Sequence, residues 1–163
     1  MKYVLIEGYF HVVKYSPDGD SLMFSAKNPA QWDLIESEFR AEFEENLAAD
    51  EGRVQLRLQG MDALETHYAP SPLPAPQEVG SKTFSGAIKP SIRQMRQPPE
   101  LADGAATKLL SLLGVHGATW TSNRSYVQSI EVKKGGAAET ISTKGQDRLK
   151  GFIVVNDIEM KGR

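Results

Sequence analysis

Arg57, Asp62 and Glu65, in the run RLQGMDALE, and Asp18 and Asp20, in the upstream DGDSL, are the residues of this chain whose types and spacing could do chemistry. A guanidinium is a planar fork that matches phosphate oxygens and stays charged at any working pH. A carboxylate such as Glu65 can take a proton from an attacking water, or orient it. Further carboxylates, with backbone carbonyls and water, satisfy a hard cation such as Ca²⁺. Together these parts can hold a metal ion against a phosphodiester. Each also has an ordinary reading. Asp18-Gly19 is a favoured turn pair, and an Arg followed by two acids is also what a solvated strand end looks like. Gly60 lets the chain leave its strand sharply, which would bring Asp62 and Glu65 round beside Arg57.

The elements that must position these residues read as mainly β. Residues 2–15 are rich in Val, Ile, Tyr and Phe and predict a long strand with a bend or bulge at Gly8. A turn at 16–20 leads to a second strand over 21–27, where Leu22 and Phe24 alternate with Ser21, Met23 and Ser25. Asn28-Pro29 opens a helix, as N-cap and N1, and Trp32, Ile35, Phe39, Phe43 and Leu47 recur at helical spacing through about 47. Its opposite side is acidic (Glu36, Glu38, Glu42, Glu44, Glu45) and reads as a solvated face. Residues 53–61 form a strand with Val54, Leu56 and Leu58 on one face and Gln55, Arg57 and Gln59 on the other. Residues 69–100 hold most of the prolines and read as an insert or long loop. A helix follows over about 100–113, burying Ala102, Ala106, Leu109, Leu110 and Leu113, with Gly114 as its stop. Residues 115–149 read as a hairpin-like excursion turning at Gly135-Gly136, and 151–155 as a final strand.

Composition bounds the function classes. At 163 residues the chain fits one domain with a real core. The net charge of −2 is unlike that of a dedicated duplex-binding domain, so any nucleic-acid contact must be local. Without cysteine there is neither a disulfide nor a thiolate metal site. The three histidines, His11, His67 and His116, are scattered too widely to suggest a structural zinc site. No apolar run approaches the roughly 20 residues needed to span a bilayer. The start reads as a strand and not a signal peptide, so a cytoplasmic place is the default and no membrane partner is expected.

DGDSL followed by RLQGMDALETHY resembles the staphylococcal-nuclease (thermonuclease) family, which shows Asp-Gly-Asp-Thr/Ser and then Arg-x4-Asp-x2-Glu-Thr. The resemblance implies an α+β, mainly β, OB-fold barrel. It covers 1–27, 53–68, roughly 100–114 and 151–163, leaving inserts near 28–52, 69–99 and 115–150. It also implies a Ca²⁺-dependent endonuclease acting on single-stranded or breathing DNA and RNA. Asp20, Asp62 and the backbone of Ala63 would hold the metal, and Arg57 and Glu65 would form the catalytic pair. Leu64 stands where the family often has Pro. The second catalytic Arg would be Arg163, in EMKGR, with Arg148, in GQDRLKGF, as the rival. With Arg163 in that role the chain stops where the fifth barrel strand should begin, so a single, C-terminally incomplete domain is expected. Tyr68 is a candidate to stack on a base, or simply a packing residue. His67 could contact substrate or lie on the surface. The alternative to an enzyme is a non-catalytic OB module binding nucleic acid or protein, or an inactive fragment of such a nuclease.

Overall fold

The computed structural model describes residues 3–35, 37–59, 99–122 and 124–156. Glu36, Asp62, Ala63, Glu65, His67, Tyr68 and Arg163 therefore lie outside the described residues. The chain runs β1 (Val4–His11), β2 (Ser21–Ala26), a 3-10 helix (Pro29–Leu34), α1 (Arg40–Ala49), β3 (Arg53–Arg57), α2 (Pro99–Leu112), β4 (Val115–Trp120), β5 (Val127–Lys134), β6 (Ala137–Ile141) and β7 (Leu149–Val155).

The first sheet has the order β3-β2-β1-β7, antiparallel throughout. The period-2 alternation sends Val4, Ile6, Phe24 and Val54 into a core with Trp32 and Ile35. Phe24 is fully buried, with its ring edge-on to Phe10 at 5.1 Å and to Trp32 at 6.2 Å. The second sheet, β4-β5-β6, is also antiparallel. It packs with α2 around Val12, Val13, Leu22, Leu109, Leu110, Val115, Val127 and Ile130. The end of β1 joins the two sheets. Val13 bridges Val127 in parallel, and the amides of Lys14 and Val127 each donate across at 2.8 Å.

Three expectations change. The barrel is the first: an OB-type barrel with four strands of its own is not what forms. Among the described residues there are two sheets, neither closed nor strongly curled, because 115–141 pairs with itself into a separate three-stranded sheet. The excursion therefore builds core of its own, and β7 adds to the outer side of β1. The second is Gly8. Pairing runs through it without a shift, with Ala26 on one side and Gly151 on the other, so there is no bulge. A Cβ there would fall 2.1 Å from the Ser25 carbonyl oxygen and 2.5 Å from Phe24 Cζ. Gly8 is required for close approach, not for a bend. The third is the helix expected from 29 through 47. Asn28 does cap it, its side chain accepting from the Ala30 amide, but the helix breaks at Ile35, whose backbone is extended. The Arg40 guanidinium binds the Trp32 carbonyl, which fastens the start of α1 to the end of the 3-10 turn. The helix over 99–112 forms as expected, with Ala102, Ala106, Leu109 and Leu110 buried, and Gly114 takes φ +81 after it.

Candidate functional site

Ser21 pairs with Arg57 at one end of the β2–β3 ladder. The Leu58 amide then donates to the Asp20 carbonyl at 2.8 Å, so the chain leaves β3 alongside Asp20. The turn before β2 is held by Asp18. Its Oδ1 accepts from the Ser21 amide at 3.0 Å and from the Ser21 hydroxyl at 2.5 Å. That is the Asx-type use of an aspartate in a turn. Asp18 therefore follows its ordinary reading.

Asp20 immediately precedes β2. It is buried, and its Oδ2 lies 3.8 Å from Arg57 Nη2. The Arg57 side chain is 56% exposed, so this contact contributes at most about 1 kcal/mol to stability. What it provides is placement: an exposed guanidinium beside a sequestered carboxylate. Sequence reasoning set Asp62 and Glu65 beside Arg57 and assigned Asp20 to a metal site; the neighbour that the structure gives Arg57 is Asp20.

The remaining expected site residues divide by location. Asp62, Ala63, Glu65 and Arg163 lie outside the described residues. The expected metal-binding cluster is corrected to this extent: among the described residues, no three His, Asp or Glu side chains gather into a group that could hold a metal ion. Asp20 alone of the expected ligands is described. Arg148, the rival second Arg, sits one residue before β7 with its guanidinium 5.6 Å from the Tyr9 ring centroid. Tyr9 pairs with Ser25, four positions along β2 from the Ser21–Arg57 pair. At strand spacing that is roughly 14 Å along the sheet. Arg148 is thus on the sheet that carries Arg57, but at a different level.

A polar cluster that sequence reasoning did not single out joins the end of β1, the end of α1 and the segment before β7. The Tyr15 hydroxyl donates to Asp50 Oδ2 at 2.8 Å, and Lys144 Nζ reaches Asp50 Oδ1 at 2.7 Å. Partial burial pushes the Asp50 carboxyl up, but the bonds from Lys144 and Tyr15 outweigh it and hold the group below its ordinary value. Burial, with the Asp50 bond, raises Tyr15, and the same carboxylate raises Lys144. Near it, His11 is 3% exposed and Asp147 fully buried, although His11 reads as isolated in sequence. Nothing local signals that contact, because the partner lies at the far end of the chain. His116 is exposed. Trp32 anchors the first core, and Trp120 packs against the second, as their reading as core or insert anchors has it.

Among the described residues, no helix is long and apolar enough to cross a membrane. No family model matches this chain, and no curated protein or solved structure is significantly similar to it.

Proposed function

We propose that this chain hydrolyses phosphodiester bonds of DNA and RNA, at a site built on the Asp20–Arg57 end of the β2–β3 pair. The observation that carries the reading is the placement of Asp20 Oδ2 beside Arg57 Nη2, where the chain runs on toward Asp62 and Glu65. Asp62 follows Leu58 by four positions, so covalent reach alone keeps it within about 14 Å of that point.

In this reading Arg57 and Arg163 bind the phosphate and counter the charge that develops on its oxygens. Glu65 orients the attacking water or accepts its proton. Asp20 is a buried oxygen donor of the kind a hard cation takes. With Asp62 and the Ala63 carbonyl it makes an all-oxygen set suited to Ca²⁺. When bound, that ion orients the phosphate and adds positive charge. Contacts to phosphate carry no base information, so the cleavage has no strict sequence preference.

The test is cleavage of denatured DNA with Ca²⁺ and with a chelator, beside Glu65→Gln and Arg57→Gly. Ca²⁺-dependent cleavage lost in both folded variants supports the proposal; cleavage that survives either change overturns the residue roles. The second reading is a module that binds nucleic acid or protein without cleaving it. Salt-sensitive binding of single-stranded DNA without cleavage would select it.

A further inference from the structure

His11, Ser25 and Asp147 come from β1, β2 and the segment before β7, and they meet on the face of the first sheet opposite Phe24. Asp147 is fully buried, and its Oδ2 accepts the amides of Val12 at 2.5 Å and Val13 at 2.6 Å. Its Oδ1 lies 3.5 Å from His11 Nδ1. Among the described residues neither of those two buried atoms has a hydrogen-bond partner, and they face each other. His11 Nε2 lies 2.8 Å from Ser25 Oγ. The tautomer that satisfies all three residues carries its proton on Nδ1, facing Asp147, and leaves Nε2 to accept from the Ser25 hydroxyl.

That is a hydroxyl on a neutral imidazole whose far nitrogen is oriented by a buried carboxylate, the arrangement that activates a serine. A contact of 3.5 Å between base and orienting group is loose, as such contacts are in the absence of substrate. Exposure rises along the chain of bonds, from sealed Asp147 through His11 to half-buried Ser25. An open depression of about 210 Å³, lined by His11, Tyr15, Ser21, Met23 and Gln55 among others, lies beside the imidazole. Tyr9, the register partner of Ser25 on β1, carries the Arg148 guanidinium over its ring, which brings a cation to the neighbouring position.

We propose that Ser25 is a nucleophile toward small activated carboxylic esters, with His11 as its general base and Asp147 as the residue that positions His11. Ser25 Oγ forms a bond to the carbonyl carbon while its proton passes to His11 Nε2. The bond to the leaving oxygen then breaks, and that oxygen takes the proton from Nε2. A water deprotonated by His11 attacks the acyl-serine, releasing a carboxylic acid and restoring the hydroxyl. No step uses a metal ion, Arg57 or Glu65, so the activity is independent of the phosphodiester reading and runs in chelator.

The experiment treats the full chain, in chelator, with a fluorophosphonate probe, which loses fluoride as its phosphorus bonds to the serine oxygen. Adducts are mapped by peptide mass spectrometry, and hydrolysis of p-nitrophenyl acetate is followed in parallel. The expected result is one adduct, on Ser25, with ester hydrolysis at least 100-fold lower in Ser25→Ala. Asp147→Asn should retain the adduct at a rate lowered at least tenfold. The loss in Asp147→Asn should fall on kcat and leave KM unchanged, even where its circular dichroism is that of wild type. No adduct on the wild-type chain, or adducts spread over other serines, tyrosines or lysines, overturns the proposal without reference to any variant. An Asp147→Asn kcat equal to wild type would remove Asp147 from its role.

Discussion

Removing the Asp147 carboxylate is the most direct test of how the segment before β7 is fastened. Its Oδ2 is the hydrogen-bond acceptor for two consecutive amides, those of Val12 and Val13, and both residues are fully buried. In Asp147→Ala those amides lose their partner in a place water does not reach. Each unsatisfied buried donor costs about 1–3 kcal/mol. Against this, the variant no longer keeps an ionised carboxylate out of water, which offsets part of the loss. The expected net destabilisation is about 3 kcal/mol, a large share of the roughly 5–15 kcal/mol typical of a whole domain. Asp147→Asn keeps one oxygen to accept both amides and should cost only about 1 kcal/mol. Urea unfolding followed by circular dichroism would measure both, with hydrogen exchange at Val12 and Val13 locating the change. If Asp147→Ala lies within about 0.5 kcal/mol of wild type (at most about a tenth of a typical domain's stability), the two amides have another acceptor and the reasoning is wrong.

Gly8→Ala should destabilise by about 2–3 kcal/mol through overpacking, because the new methyl meets a backbone oxygen at 2.1 Å that cannot swing aside as a side chain would; a thermal melt at the wild-type temperature would refute this. Asp50 has a lowered carboxyl, so its contribution is present above its unfolded value and is lost as pH falls through the folded one. Asp50→Asn should therefore flatten the acid limb of a stability–pH curve. It should also flatten the alkaline limb, since Lys144, raised by the Asp50 bond, contributes below its unfolded value and loses that contribution as pH rises through the folded one; unchanged limbs by chemical denaturation across pH would contradict the cluster. Asn28→Ala removes the side-chain acceptor at the start of the 3-10 helix and should cost about 1 kcal/mol by urea midpoint, whereas Asn28→Asp should cost little.

The difference between what could be read along the chain and what could not follows the range of the interactions. Strands over 21–26 and 149–155, the cap at Asn28 and the apolar face of α2 depend on neighbours within one or two turns or strand steps, and the sequence pattern carries them. The two strands beside Asp20 and Arg57 were also legible, but the ladder that sets those residues side by side was not. Nor was the break at Ile35, beyond which Arg40 reaches back to the Trp32 carbonyl.

What the sequence determined by itself was therefore local: the alternation that builds each strand, the turn held by Asp18, and the polar face that carries Arg57. Tertiary structure alone decided whether the strands close. An open pair of sheets results because the strand after α2 finds its partners within its own excursion and not at the edge of the first sheet. Gly8 shows the same division, since its missing side chain is explained only by the ring and the carbonyl that another strand brings against it. The meeting of His11, Ser25 and Asp147 is the clearest case. Three ordinary residues, far apart in the chain, acquire a chemistry only where folding excludes water and leaves two polar atoms facing each other.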